Sequence, residues 1–334
     1  MKKLLFLVGT IGLLGCKSTP SPDKTSTTTT LSTPQTKSQT SVSNSYSVSA
    51  DDIKKNLSFF ASDDLEGREA GSEGIDKAAT YIEDYLKTVG VKPYFESYRD
   101  NFMLNDLNTF NVVGVVEGSD PQLKNEYIVI GAHYDHIGVM KGQVGDSIAN
   151  GANDNASGTS TIMEIAKYFG TKQTNKRSII FAFFSAEEKG LKGSQHLAEE
   201  LKKKNIELYT MLNFEMTGVP FVGRDYVAFI TGYELSNLAE KMNSYAGDNF
   251  IGMSDVSKKY NLFMRSDNYA FYQAFKTPCH TISTCDLTNF DEYHKAGDEV
   301  QLMDFSHMAK LTNKVIPVIE RMANTPTEEI KMNE

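Results

Sequence analysis

The stretch Ile128–Gly138 reads IVIGAHYDHIG and places an apolar, partly β-branched run directly before His133. Two later stretches have the same form: FAFFSAEEKG carries the pair Glu187 and Glu188, and LNFEMTG carries Glu215. Short apolar runs of this kind are typical of buried strands in a largely parallel sheet. Because ligands bind in the crevice beyond the carboxyl ends of such strands, we expect these His and Glu side chains to meet at one edge of the sheet.

Two further motifs add the groups that a two-metal site requires. NGANDNASG carries Asp154, and DEYHKAGD carries His294. A dinuclear zinc site needs about two protein ligands per metal and one carboxylate that bridges both, with positions left open for water and substrate. The chain supplies this number of ligands, with Asp154 as the bridge: His133, Asp154, Glu188, Glu215 and His294. Glu187 is then left over as a base.

Each of these residues has an ordinary alternative when it is taken singly. A His-x-Asp triplet is common in loops, an acidic pair is usually a solvated helix start, and a lone histidine more often lies on the surface. The joint occurrence of these residues in one order, at the ends of predicted strands, favours the metal site. His136 is expected beside the ligands rather than among them.

The motif series resembles the bacterial leucyl-aminopeptidase and glutamate-carboxypeptidase family of co-catalytic zinc peptidases. The resemblance extends over roughly residues 50 to 325, because the early segment ASDDLEGREAGSEG, Ala61–Gly74, is also similar to a motif of that family. It implies an α/β fold of three layers, α/β/α, around a central mixed and largely parallel sheet. It also implies two zinc ions and peptide substrates.

The resemblance extends to the roles of single residues. It implies that His133 and Glu215 bind one metal, that Glu188 and His294 bind the other, and that Asp154 bridges both. Glu187 resembles the general base.

Two residues beside these ligands also match positions of the family. Asp135 resembles the carboxylate that orients the His133 ring, since a ligating imidazole usually donates its other N–H to a carboxylate or carbonyl. Tyr293 matches a position where some members carry a tyrosine that stabilises an oxyanion. An aromatic ring packed beside the site is an equal alternative for Tyr293.

The chain departs from the family pattern in two places. Glu215 stands where the family usually has Asp, and Ser266-Asp267-Asn268 stands where many members have Ser-Asp-His, which removes an imidazole from the neighbourhood. Family members also commonly hold a cis peptide bond after the bridging Asp, so we expect one between Asp154 and Asn155.

The first residues match a bacterial lipoprotein signal. Residues 1–16 contain two lysines, an apolar stretch too short to span a membrane comfortably, and a Leu-Leu-Gly-Cys box that ends at Cys16. A lipidated Cys16 would be the only membrane attachment, in the cell envelope of a bacterium, periplasmic or surface-exposed. Residues 17–48 are rich in Ser, Thr and Pro and predict a disordered tether. The peptidase domain is expected over 49–325 and a C-terminal tail over 326–334.

Composition limits the remaining possibilities. The 334 residues are 40% hydrophobic, which suffices for one core, and the net charge of −9 argues against binding of nucleic acid. Cys279 and Cys285 flank a predicted strand whose straight length of about 20 Å exceeds what a disulfide spans, so two buried thiols are expected.

The function favoured by the sequence is a zinc-dependent exopeptidase, with aminopeptidase chosen by prevalence among secreted relatives. A glutaminyl cyclase with one zinc ion is the first alternative, but the chain contains no Trp, which cyclases of this fold use around the substrate. A non-catalytic lipoprotein that uses the fold for binding is the second alternative.

Overall fold

The structure, a computed structural model, describes residues 46–334. The predicted signal segment 1–16 and residues 17–45 of the predicted tether lie outside the described residues. In the described part, none of the helices combines the length and the apolar character needed to cross a membrane. The α-helices of this part are α1 Ala50–Phe60, α2 Glu73–Thr88, α3 Gly158–Lys172, α4 Lys192–Lys203, α5 Leu238–Ala246, α6 Asp255–Lys259, α7 Asn268–Phe275 and α8 Phe305–Asn324.

The strands form one large mixed sheet and a separate two-stranded ribbon, β5 with β6. Their bounds are β1 Lys92–Pro93, β2 Arg99–Leu104, β3 Leu107–Val116, β4 Glu126–His133, β5 Gly138–Val139, β6 Ile148–Ala149, β7 Ser178–Phe184, β8 Glu207–Glu215, β9 Ala228–Ile230, β10 Ile251–Gly252 and β11 Cys279–Ser283.

The centre of the large sheet is parallel and its flanks are mixed. The strand order is β1-β3-β7-β4-β8-β11-β9-β10, and β2 also pairs with β3. The central strands β7, β4, β8 and β11 run parallel to one another, whereas β3 is antiparallel to β7 and β9 is antiparallel to β11. The carboxyl ends of four neighbouring strands therefore open onto the same edge.

Successive residues of the central strands point to opposite faces of the sheet. In β4, Ile128 and Ile130 belong to a core with α1, α2, α3, α5 and α8, whereas Val129 belongs to a second core with α4 and α7. In β7, Phe181 and Phe183 face the first core and Phe184 faces the second. Both faces of the sheet are covered by helices, which confirms the predicted three-layer α/β/α fold.

The apolar runs before His133, Glu187 and Glu215 form β4, β7 and β8, as predicted. The apolar periodicity that begins at Ile75 corresponds to α2, whose first turn is capped by the Ser72 hydroxyl as it accepts the Ile75 N–H. This helix stops before Gly90, where φ is 84°, a conformation that glycine adopts without strain.

The packed domain extends beyond the predicted boundaries 49–325 at both ends. Although the tether was predicted to reach residue 48, Val48 is buried and exchanges backbone hydrogen bonds with the Asn313 amide. The Tyr46 hydroxyl donates to the Glu164 carbonyl. In the predicted tail 326–334, Ile330 is buried and its N–H donates to the Tyr209 hydroxyl. Both segments are short, but each buries an apolar side chain that composition alone does not reveal.

Cys279 is the first residue of β11, and Cys285 lies two residues after the end of this strand. Both thiols are buried and form no disulfide with each other. Burial raises the pKa of both thiols to about 12, so both are protonated at neutral pH. The expectation of two buried thiols is confirmed.

His280 in β11 generates a prediction about acid stability. The ring is buried, its Nδ1–H donates to the Thr231 carbonyl, and its Nε2 accepts the Ser236 hydroxyl. Burial lowers the pKa of His280 to about 4. In the unfolded chain the pKa of His280 has its usual value of about 6.5. As the pH falls below this value, the unfolded state takes up a proton on His280 while the folded state does not. The folded state is therefore destabilised relative to the unfolded state.

We expect this group alone to remove about 2 kcal/mol of unfolding free energy between about pH 7 and about pH 5. Urea unfolding with zinc present should show a smaller loss over this interval for His280→Asn than for the wild type. A matched control is His196→Asn: an Asp100 hydrogen bond raises the pKa of His196, so its contribution has the opposite sign. Equal pH dependence in wild type and His280→Asn would contradict the prediction.

Candidate active site

The candidate site lies at the carboxyl edge of the parallel strands. His133 is the last residue of β4, and Glu215 is the last residue of β8. Glu187 and Glu188 follow β7 after two intervening residues. Since β7, β4 and β8 are neighbours in the sheet, three separate stretches of sequence deliver their side chains to one place.

One group of donors gathers around His133 and is called here the first metal group: His133, Asp154 and Glu215. The His133 Nε2 lies 2.9 Å from Glu215 Oε1 and 3.3 Å from Asp154 Oδ1. Burial opposes protonation of His133, but the Glu215 and Glu187 carboxylates outweigh it and raise its pKa well above the usual value.

A second group gathers around Glu188 and is called the second metal group: His136, Asp154, Glu188 and His294. The His294 Nε2 lies 3.1 Å from Glu188 Oε2 and 3.2 Å from Asp154 Oδ2. The His136 Nδ1 lies 2.9 Å from Glu188 Oε1 and 3.8 Å from Asp154 Oδ2. Asp154 thus contributes one oxygen to each group. His136, expected beside the ligands, is instead placed among them.

The donor spacing provides a test of whether these residues fit zinc. Two donors that each lie about 2.0 to 2.1 Å from one tetrahedral Zn²⁺ ion are separated by about 3.3 Å. The separations of 3.3, 3.2 and 3.1 Å between Asp154, Glu188 and their histidine partners match this value. The His133–Glu215 and His136–Glu188 separations, both 2.9 Å, are somewhat shorter. Imidazole nitrogen and carboxylate oxygen are also the donor types that zinc takes in catalytic sites. The residues fit a pair of zinc ions.

Asp135 differs from the role predicted for it. Its Oδ1 is 3.7 Å from the His133 Nδ1, and the Asp135 backbone carbonyl is nearer, at 3.2 Å. The carboxylate instead accepts the backbone N–H groups of Glu187 at 3.1 Å and Glu188 at 3.4 Å. The main chain of Asp135 therefore orients the imidazole, while the side chain holds the acidic pair in position.

The Asp154 turn is fixed to the strand that carries Glu215. The peptide bond between Asp154 and Asn155 is cis, as expected from the sequence. The Asn155 side chain accepts the Met216 N–H and donates to the Phe214 carbonyl, the two residues that flank Glu215. At Gly158 an added Cβ would lie 2.3 Å from the Phe214 carbonyl oxygen, so only glycine allows this close approach.

Two buried charged residues from other parts of the chain support the metal loops. The Asp298 carboxylate accepts the N–H groups of Asn153 at 2.7 Å and Asp154 at 2.9 Å. Arg68, which is fully buried, donates to four backbone carbonyls, including those of Tyr134 and Gly151. Burial lowers the pKa of Arg68 to about 10, so the guanidinium is charged at neutral pH. It places a positive charge beneath the cluster of carboxylates.

Three residues at the site have a strained backbone conformation. Ala186, Met216 and His294 have φ values of 57°, 47° and 57°, which is the left-handed region that residues with a side chain rarely adopt. His294 is itself a member of the second metal group, Met216 follows Glu215, and Ala186 precedes Glu187. Strain of this kind persists only where the surrounding contacts hold the chain in place.

A pocket of about 530 Å³ of open space adjoins the first metal group. Asp154, Glu187 and Glu215 line one side of it. The rest of the wall is mainly apolar and hydroxylic, with one arginine: Met216, Phe229, Thr231, Leu262, Arg265, Ser266, Thr281, Ser283, Cys285, Leu287 and Tyr293. A substrate in this pocket would contact the metal groups and Glu187 together.

Glu187 and Tyr293 face this pocket in states suited to proton transfer. Burial raises the pKa of Glu187 well above its usual range, and the carboxylates of Glu215 and Asp267 add to this, although His133 opposes them. Burial and the nearby carboxylates also raise the pKa of Tyr293, so its hydroxyl keeps its proton. The Tyr293 ring stacks on His294 with 3.9 Å between centroids, so the ring packs against a candidate ligand and also lines the pocket.

Comparison with known proteins agrees with this geometry. The model of peptidase family M28 matches residues 111–319, more than half of the chain. The chain belongs to peptidase family M28. The bacterial and lipoprotein features of the earlier resemblance are not tested by this match.

The curated relatives that match include fungal proteins. Leucine aminopeptidase 1 of Ajellomyces capsulatus is 25% identical over 264 residues, which cover 75% of this chain and 65% of that protein. The chain therefore spans about two thirds of the length of this relative.

Two solved structures have the same fold. A Zn-dependent exopeptidase from Parabacteroides distasonis has a TM-score of 0.63 at 19% identity, with coverage of 84% of this chain and 99% of that one. Porphyromonas gingivalis glutaminyl cyclase has a TM-score of 0.66 at 16% identity, with coverage of 82% and 98%. At these identities the likeness shows the fold alone.

Sequence reasoning overlooked Asp298 and Arg68, and it placed His136 beside the ligands rather than among them. His136 follows His133 by three positions in HYDH, and Asp298 closes the DEYHKAGD motif, so both stand in segments already chosen for other residues. Arg68 lies in the early motif LEGR, whose charged composition is more typical of an exposed loop. Its burial depends on carbonyl partners from distant segments, which no local pattern reports.

The unequal donor sets generate a prediction about metal loss. The second metal group has four donors, whereas the first has three, and its Glu215 is one methylene longer than the usual Asp. We expect graded chelation to remove one zinc ion before the other, and Glu215→Asp to tighten the more weakly held ion.

His136→Gln should instead weaken the more tightly held ion by about 10-fold or more, as loss of one ligand does, with His196→Gln as the control. Zinc content and competitive titration with a chromogenic chelator measure both effects. Simultaneous loss of both ions, unaltered by either substitution, would be incompatible with this assignment.

Proposed function

We propose that the protein is a zinc-dependent exopeptidase, and specifically an aminopeptidase that cleaves the first residue from peptides. The observation that carries this proposal is the position of Glu187, a buried glutamate with a raised pKa that lines the pocket together with Asp154, the residue that both metal groups share. The name of the curated relative, leucine aminopeptidase, supports the aminopeptidase activity.

Zinc and the side chains of the protein have different roles in peptide hydrolysis. Zinc, when bound, lowers the pKa of water and polarises the scissile carbonyl. Glu187 accepts a proton from the attacking water and passes it to the leaving amine, because it lines the pocket beside Asp154 and Glu215 of the first metal group. The protonated Tyr293 hydroxyl can donate a hydrogen bond to the oxyanion that forms.

The groups that hold Glu187 and the ligands have separate tasks. His133, Asp154 and Glu215 would hold one ion, and His136, Glu188 and His294 would hold the other together with Asp154. The Asp135 side chain keeps the backbone of Glu187 in place through its N–H.

Glutaminyl cyclase activity is the alternative, and one of the solved structures of this fold carries that name. Two features favour the peptidase. The structure brings together two metal groups that share Asp154, whereas a cyclase of this fold is expected to use one zinc ion. The chain also has no Trp to surround a cyclising glutamine.

The test is the substitution Glu187→Gln in the zinc-loaded protein. The amide is nearly isosteric but cannot accept the proton, so kcat on aminoacyl p-nitroanilides should fall roughly 100- to 10,000-fold while zinc content and unfolding temperature stay unchanged. Glu199→Gln, an exposed glutamate on α4, is the matched control. Comparable activity of Glu187→Gln and the wild type would refute the role of the base, and ammonia release from N-terminal glutamine would indicate the cyclase.

The location of the protein is a separate proposal, supported by residues 1–16 of the sequence. We propose that Cys16 carries a lipid that attaches the domain to a membrane of the bacterial cell envelope, as the Leu-Leu-Gly-Cys box suggests. The acidic charge of the chain offers no second attraction to an anionic membrane.

Cys16→Ser should therefore release the protein from the membrane fraction or leave the signal segment uncleaved. Fractionation and metabolic labelling with a fatty acid measure this, with Ser18→Ala as the control. Labelling that persists in the Cys16→Ser variant would exclude this residue as the anchor.

A further inference from the structure

One positive side chain faces the pocket of the proposed active site. Arg265 follows the short helical turn Leu262–Met264 and lines the same pocket as Glu187 and Glu215. It is the only cationic residue among those that form the wall, all of which belong to the described part of the chain.

Arg265 differs from the other arginines in having no protein partner. Arg99 pairs with Glu83 and Asp76, and Arg224 pairs with Asp286. Within residues 46–334, the Arg265 side chain forms no salt bridge and no hydrogen bond. It also does not stack on an aromatic ring, as Arg224 does on Phe221. Arg265 is an exposed residue, and it lines the pocket that a substrate would fill.

A guanidinium of this kind selects for one ligand chemistry. Its five N–H donors form a planar fork that matches the two oxygens of a carboxylate. The wall beside it is apolar at Phe229 and Leu262 and hydroxylic at Thr231 and Thr281. A short apolar stem that ends in a carboxylate satisfies both parts of this wall, whereas a purely apolar side chain leaves the guanidinium without a partner.

We propose that Arg265 binds a carboxylate of the substrate, so that the site favours peptides with a free carboxylate close to the scissile bond. This proposal rests on the exopeptidase function proposed above. Two substrate types supply the same group: peptides whose first residue is Asp or Glu, and dipeptides, whose C-terminal carboxylate lies one residue beyond the bond that is cleaved.

The experiment compares matched acid and amide substrates. Zinc-loaded wild type and Arg265→Gln are assayed on glutamyl and glutaminyl p-nitroanilide, and on the dipeptide Leu-Leu and its C-terminal amide. We expect the ratio of kcat/KM for acid over amide to fall about 10-fold or more in Arg265→Gln, mainly through KM, as loss of a charge-assisted hydrogen bond does. Arg265→Lys should restore part of the ratio.

The two pairs separate the two substrate types. A change confined to the first pair assigns the carboxylate to the side chain of the first residue, and a change confined to the second pair assigns it to the C-terminus. The control is Arg321→Gln, which removes an exposed arginine from α8 and should keep the wild-type ratios. Unaltered ratios for both pairs in Arg265→Gln would overturn the proposal.

Failure of the exopeptidase function has a different signature. In that case the wild type cleaves no peptide or anilide. The binding role of Arg265 can still be tested by measuring affinities with calorimetry. The ligands are the acid and amide pairs L-glutamate and L-glutamine, and Leu-Leu and Leu-Leu-amide, added to the zinc-loaded protein. Tighter binding of the acids, lost in Arg265→Gln, would support the carboxylate site without the peptidase. Equal affinity for acid and amide in the wild type would refute it.

Discussion

Burial of negative charge at one edge of the sheet is the constraint on which the rest of the structure depends. The carboxyl ends of β4, β7 and β8 bring together more carboxylates than a protein interior tolerates without compensation: Asp135, Asp154, Glu187, Glu188, Glu215, Asp267 and Asp298. Three histidines and the buried Arg68 offset part of this charge, and two zinc ions would offset most of the remainder. A metal-binding role is therefore an electrostatic requirement of this cluster as well as a function.

The loops that carry these groups have little regular structure, so their shape depends on side chains that bind backbone. Arg68 donates to carbonyls on both sides of the site, Asp298 accepts two N–H groups at the Asp154 turn, and Asn155 connects that turn to the end of β8. These bonds place strained residues such as Ala186 and His294 where the donors meet. Most of the precision of the site thus comes from residues that would never touch a metal.

The sequence predicted the fold and most of the residues that meet at the site, because both follow from local patterns. Apolar runs before His133, Glu187 and Glu215 identify buried parallel strands, and parallel neighbours share an edge. The missed features depend on tertiary contacts: His136 turns inward only because Glu188 lies opposite it. Arg265 comes from a segment between α6 and α7 whose path no periodicity fixes. The underestimated domain boundaries have the same cause, since one buried residue such as Val48 leaves no detectable pattern.

The contacts of Tyr46 determine where mechanical load enters the domain. Its ring packs on Tyr168 with 5.0 Å between centroids, about 15 Å along α3 from the Gly158 end that adjoins the metal groups. A pull applied to the chain before residue 46 would pass into the later turns of α3 and, through Val48 and Asn313, into α8. Both are long helices packed in the first core. None of these contacts involves a residue of the two metal groups, so attachment of the chain at this end would load the later turns of α3 and α8 before the loops that hold the donors.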